Sequence, residues 1–258
     1  MSEWNTQAYV RSETHQFITT IEFFHPQGNS LPAKILADLS KEIHSAAHDA
    51  NTKVIILRSG GQKAFCGGAS FEELSAIHTK EQGLEFFSGF AEVINAIRKC
   101  PKFIIGRIHG KSVGGGVGLV AAVDYAIAIE SADVKLSELS IGFGPFVVGP
   151  AIERKIGAAA FGYLSIDATL WRNAEWAKRK GLYAELHPNL EGMEESIGRL
   201  ANNLAHSNPD AMKELKKMLW SGTDNWDQLL TARAAISGNL VLSQFTRNAI
   251  AKLSAKKS

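Results

Sequence analysis

Apolar positions along the first half of the chain follow two periods, and in the last third they settle into one. Runs rich in β-branched and aromatic residues at 17–24, 54–58, 103–109 and 125–129 predict four strands, each closing near Gly, Pro, Ser or Asp. Between them, Leu36, Leu39, Ile43 and Ala47 recur at helical spacing, as do Leu84, Phe87, Ala91, Ile94 and Ile97. Strands alternating with helices predict an α/β architecture. Further on, Met193, Ile197, Leu200 and Leu204 make one amphipathic stripe. Asn208-Pro209 reads as a cap followed by a helix start, which Met212, Leu215 and Leu219 continue. Residues 229–242 and 248–256 predict two more helices. The chain thus divides into an α/β body over 1–191 and a helical section over 192–258.

The composition narrows the function classes. The 258 residues are 45% hydrophobic and 21% charged, as in an ordinary globular protein. A formal net charge of +2, from 28 basic and 26 acidic residues, argues against nucleic-acid binding through bulk charge. The two cysteines, Cys66 and Cys100, form no CxxC pair, so neither a zinc site nor a redox dithiol is expected. Residues 1–14 lack a signal-peptide core, and the longest apolar stretch, 113–129, is broken by glycines and by Asp124. The expectation is a cytoplasmic protein without a membrane span.

Three features carry chemistry. Lys63-Ala64-Phe65-Cys66-Gly67-Gly68-Ala69-Ser70-Phe71 follows the second predicted strand and precedes a helical stretch, 71–77. Gly110-Lys111-Ser112-Val113-Gly114-Gly115-Gly116-Val117-Gly118 follows the third strand and opens another apolar element. Taken alone, each turn also fits glycines chosen for tight turning or close contact between elements. Together, two strand-to-helix turns that each offer a free N–H make an oxyanion hole of the kind that stabilises an enolate. The third feature is Glu138, in Lys135-Leu136-Ser137-Glu138-Leu139.

These segments resemble the enoyl-CoA hydratase/isomerase (crotonase-like) family, which has an AFCxGAD-like loop and then GxxxGGG some forty residues later. Asn29-Ser30-Leu31 and the stretch from Asn173-Ala174-Glu175-Trp176-Ala177 to Gly181-Leu182 fit as well, so the resemblance covers nearly the whole chain. It implies a spiral of ββα units with a C-terminal helical section used in trimer contacts. It implies that the amides of Ala69 and Gly115 hold a thioester oxygen and that Glu138 is a catalytic acid/base. It also implies that the loop Cys66, Gly67, Gly68, Ala69 receives the adenine of coenzyme A, with Lys63 near its phosphates. Leu253 and Lys256 match the arrangement by which a neighbouring subunit's last helix reaches those phosphates. Coenzyme A would be part of the substrate, with no metal or redox cofactor, and the assembly a homotrimer or a dimer of trimers.

Two departures qualify the resemblance. Hydratases carry a second glutamate two residues after the glycine triplet, where this chain has Gly118. Glycine usually follows the proline of the next loop, but Pro145 is followed by Phe146, Val147 and Val148, which narrows the space for a hydrating water. Moving a double bond needs one carboxylate, so Glu138 alone suits isomerisation. The rivals are a non-catalytic coenzyme-A- or RNA-binding relative, and a decarboxylase or hydrolase on the same scaffold, which would need another polar residue near Glu138. Other signals are weaker. Residues 116–121 match a dinucleotide-binding GxGxxA, but the gap from Gly118 to Tyr125 is short for a crossover. His44 and His48 lack a third ligand, Asp124 reads as a cap or buried pair, and Cys66 has no paired base.

Overall fold

A computed structural model of the chain describes residues 7–255. Its first strand is one that the apolar pattern does not mark. β1 (Tyr9–His15) and β2 (Ile18–Phe24) form an antiparallel hairpin, with Tyr9 opposite Phe24 and His15 opposite Ile18. The turn residues Gln16 and Phe17 have φ of 46° and 66°, the handedness that a two-residue hairpin turn requires. Phe17 therefore belongs to the turn and not to the strand expected from residue 17.

From β2 onward the chain repeats strand, strand, helix. The first unit is β2, β3 (Ser30–Leu31) and α1 (Ala33–His48). The second is β4 (Val54–Ser59) and β5 (Ala64–Cys66), then β6 (Gly68–Ala69), α2 (Phe71–Ala76) and α3 (Lys80–Lys99). The third is β7 (Phe103–Ile108), β8 (Lys111–Val113) and α4 (Gly115–Ala122). The fourth is β9 (Tyr125–Ile129), β10 (Val134–Lys135), a 3₁₀ turn at Glu138–Ile141, and α5 (Gly149–Ile166). Then come α6 (Ala174–Arg179), β11 (Glu185–His187), α7 (Leu190–Ala205), α8 (Pro209–Leu219), α9 (Trp226–Leu240) and α10 (Gln244–Ala255).

The first strands of the units, β2, β4, β7 and β9, lie parallel in a six-stranded sheet with β1 and β11 at its edges. The second strands β5, β8 and β10 make a parallel three-stranded sheet, and β3 pairs with β6. This is the expected spiral of ββα units. The connection between parallel β7 and β9 runs through both β8 and α4, so the short gap after Gly118 does accommodate a crossover.

Alternation along the strands builds two cores. Ile21, Ile55, Leu57 and Ile104 meet Leu39, Ile43, Ile94 and Ile97 of α1 and α3. On the other face, Val54, Ile105 and Ile127 are covered by Met193, Ile197, Ala201 and Ala205 of α7. Residue 191 thus falls in the first turn of a helix that roofs the sheet. Asp124, just before β9, accepts from Lys216 Nζ (2.8 Å), Trp220 Nε1 (3.0 Å) and the Ile104 amide (2.8 Å), which ties α8 to the body. It is the buried pair expected.

The family resemblance implies that the helical tail is used in trimer contacts. The described residues show it folding on its own chain. α9 crosses α3 with backbone against backbone: a Cβ on Gly83 would lie 2.6 Å from Gly238 Cα. α10 sits against α2 and the Glu138 turn, where buried Thr246 covers Gly142. The physical reason is the pair of glycines, which lets the two helices bury their faces on each other.

Candidate active site

The small sheet brings the two glycine turns together. β5 runs beside β8 with Cys66 opposite Ser112, so the residues that follow each strand emerge side by side. Gly68 has φ of 85°, and a Cβ there would lie 2.8 Å from the Val113 carbonyl and 3.6 Å from the Gly115 nitrogen. Only glycine allows both that backbone conformation and that approach. Leu31 stands opposite Ala69 in the β3–β6 pair, and the Ser70 amide donates to the Leu31 carbonyl at 3.4 Å. In that parallel register the Ala69 amide points to the other side, away from β3. Gly115 opens α4, where first-turn N–H groups have no partner within the helix.

The third turn carries the carboxylate. Gly114 N–H donates to the Lys135 carbonyl at 2.9 Å, which anchors the end of β10 beside the second glycine turn. Three residues later Glu138 is 8% exposed. A Cβ on Gly114 would lie 2.9 Å from Glu138 Oε1, so the carboxylate rests against the turn that leads into Gly115. The Glu138 and Ser137 amides donate to the side chain, while Oε2 is buried without a hydrogen-bond partner. Burial dominates and raises its pKa from 4.5 to about 7.

Ala69, Gly115 and Glu138 line one pocket. Apart from Ser137 and Ser237 its wall is otherwise apolar, with Phe71, Leu74, Phe87, Phe90, Phe143 and Phe146 among its residues. Of the described residues lining it, only Glu138 is ionisable. Gly118 does not reach it. A Cβ at Gly118 would meet Val148 Cγ1 at 2.4 Å and Val148 Cβ at 2.6 Å, and Val148 lines the pocket in its place. The Pro145–Val148 narrowing read from the sequence is therefore a filled wall.

Other expected residues fall differently. Gly67 and Gly68 line the pocket, but Cys66 does not: it is fully buried, and burial pushes its thiol up to about 12. Its Cβ would meet a Cβ on Gly116 at 2.7 Å, so it fills space between the glycine turns. Lys63 is exposed on the loop before β5 and is not a lining residue. Leu253 belongs to α10, and Lys256 lies outside the described residues. His48 Nδ1 contacts the His44 carbonyl at 2.8 Å on the exposed side of α1. Of the aromatic wall only Phe146 was read as shaping the site; Phe71 and Phe87 were noted as parts of a loop and of a helix stripe, and Phe90 and Phe143 were missed. Phe90, one turn beyond Phe87 along α3, and Phe143, two residues before Pro145, carried the readable signal.

The fold and this site define a protein of the enoyl-CoA hydratase/isomerase family, whose model matches residues 13–252; the chain belongs to that family, whose enzymes act on acyl-CoA substrates. Among its relatives, the mitochondrial methylglutaconyl-CoA hydratase of Rattus norvegicus is 33% identical over 202 residues, 76% of this chain. The chain spans 63% of that protein's length. The peroxisomal Delta(3,5)-Delta(2,4)-dienoyl-CoA isomerase of Arabidopsis thaliana is 26% identical over 235 residues, covering 85% of this chain and 83% of that one. The crystal structure of enoyl-CoA hydratase from Bacillus halodurans superposes with a TM-score of 0.87 over 95% of this chain and 99% of its own. At 21% identity that likeness shows the crotonase fold alone.

Proposed function

We propose that this protein shifts the double bond of an enoyl-CoA thioester by a one-base mechanism. The observation that carries the reading is the single buried carboxylate in an apolar pocket, with Oε2 unpaired and the second hydratase position occupied by glycine. The amides of Ala69 and Gly115 receive the thioester oxygen and stabilise the enolate that forms when an α-proton leaves. Glu138 takes that proton and returns it at the γ carbon. A carboxyl with a pKa of about 7 is present in both protonation states near neutrality, so it serves as base and then as acid. The backbone of Gly67 and Gly68 receives the adenine of coenzyme A. Lys63, and Leu253 and Lys256 of another copy, approach its phosphates. Coenzyme A enters as part of the substrate.

Two mass-spectrometric and optical assays test this. A saturated acyl-CoA should gain deuterium at the α carbon in deuterated water, and a β,γ-enoyl-CoA should develop the absorbance of a conjugated thioester. Rapid hydration of an α,β-enoyl-CoA without β,γ-isomerisation would refute the one-base reading.

Assembly is part of the proposal. Phe245 is 67% exposed on α10, and Leu139 is 52% exposed on the Glu138 turn against which α10 packs. This apolar pair near the pocket favours a homotrimer, or a dimer of trimers, in which subunits meet there. Sedimentation as a monomer at micromolar concentration would overturn it. Among the described residues no helix is long and apolar enough to cross a membrane. A cytoplasmic location agrees with that and with two unpaired cysteines.

A further inference from the structure

Val148 stands between Gly118 and the pocket. A Cβ on Gly118 would fall 2.4 Å from Val148 Cγ1, well inside van der Waals contact, yet Gly118 itself lines nothing. The valine is held from behind. It occupies the cap position of α5 with φ −83° and ψ −18°, and its carbonyl accepts from the Ile152 amide at 3.2 Å. Beside it, Val147 and Phe143 are 4% exposed. A fixed water needs two to four polar partners, and the side chains on this wall offer none.

We propose that Val148 is a specificity-determining residue that excludes water from this wall of the pocket, so that the α,β-enoyl thioester formed by reprotonation at the γ carbon leaves without being hydrated. The inference rests on the enoyl-CoA reading above. In isomerisation the α C–H bond breaks, its proton moves to Glu138 Oε2, and its electron pair passes into the thioester to form the enolate. The proton then returns to the γ carbon as the carbonyl re-forms, leaving an α,β double bond. Nothing is added or lost. Hydration needs one more molecule: the oxygen of water bonds to the β carbon, keeping one proton as a hydroxyl, and the other proton reaches the α carbon. That step requires a water and a group to deprotonate it, and a valine methyl fills the place where both would stand.

The test compares the wild type with Val148→Gly, Val148→Ala and the double substitution Gly118→Glu/Val148→Gly. 3-Hexenoyl-CoA and 2-butenoyl-CoA are supplied in ¹⁸O-labelled water. Conjugated thioester is followed by absorbance, and labelled 3-hydroxyacyl-CoA by mass spectrometry. The readout is the ratio of hydration to isomerisation in one sample, which is independent of how much of a variant folds. Val148→Gly should raise that ratio at least about tenfold, with Val148→Ala in between. Adding the glutamate should raise it by a further ~10²-fold or more. A wild type that isomerises, with a ratio unchanged in both single variants, overturns this inference alone. A wild type that exchanges no α-proton and moves no double bond overturns the enoyl-CoA reading and this inference with it.

Discussion

Replacing Glu138 with glutamine should slow turnover and, above pH 4.5, stabilise the fold at once. Burial holds the carboxyl near pKa 7 in the folded protein, against 4.5 for an ordinary glutamate. The sign follows from which state binds the proton. Between pH 4.5 and 7 the folded protein keeps a proton that the unfolded chain has released, so stability falls as pH rises through this window. At about 1.4 kcal/mol per pH unit, the gap amounts to roughly 3 kcal/mol lost by pH 8. Glutamine keeps size and shape and does not titrate. Glu138→Gln should therefore gain stability relative to the wild type as pH rises, on the order of 3 kcal/mol between pH 4 and 8, levelling off above pH 7. Urea denaturation at pH 4, 5, 6, 7 and 8 measures the difference. Over the same range wild-type isomerisation should rise with pH and level off above about 7, because the base must be ionised to take the α-proton. The variant should turn over ~10²–10⁴-fold more slowly, with coenzyme-A affinity little changed. A stability difference independent of pH, together with an activity limb centred near 4.5, would refute the argument from burial. Unchanged α-proton exchange and β,γ-isomerisation in Glu138→Gln would remove the residue from the mechanism.

Gly115→Pro removes the second amide, but a Cβ at that position would meet Phe90 Cε1 at 2.3 Å. In a Phe90→Ala background, with circular dichroism as control, it should cost about 2.7–4 kcal/mol of transition-state stabilisation relative to Phe90→Ala alone. Near-unchanged turnover would sink the role of Gly115. Asp124→Ala strips Lys216, 2% exposed, of its carboxylate partner and should destabilise the fold by about 3–5 kcal/mol in denaturant titration. Cys66, with its thiol pushed up to about 12 by burial, should resist iodoacetamide at pH 8 in the folded protein and react once urea exposes it; rapid labelling of native protein would contradict that placement.

The larger strands were legible because both of their faces are buried. The 54–58 and 103–109 runs are nearly unbroken apolar sequence, and they became β4 and β7 within a residue at one end. β1 was not, because it is an edge strand: Arg11, Ser12, Glu13 and Thr14 are exposed, and the turn after it uses Gln16-Phe17 where an Asn-Gly would have signalled a hairpin. The second strand of each unit has only two or three residues, too few for a period to register. α5 went unmarked although Ile152, Ile156, Ala160 and Leu164 repeat every fourth residue; Gly157, at φ 78°, interrupts it. At the site, Gly115 and Glu138 were readable from local sequence and family resemblance. That Val148 fills the space at Gly118 was not, since thirty residues separate them and only the meeting of α4 with the cap of α5 joins them.

The contact between Gly83 and Gly238 has an outcome for the pocket. α3 supplies Phe87 and Phe90 to the wall and α9 supplies Ser237, yet neither glycine lines it. Because the helices meet with backbone touching backbone, their separation is already at its minimum. The spacing between those wall residues is set by chain geometry and not by side-chain size. Any side chain at either glycine would act as a wedge, pushing α9 outward and carrying Ser237 with it. The spacing of these walls is thus gauged by two positions that do not line the cavity, and, on the proposed enoyl-CoA reading, a lineage of this chain could change the acyl group it accepts without altering a single lining residue.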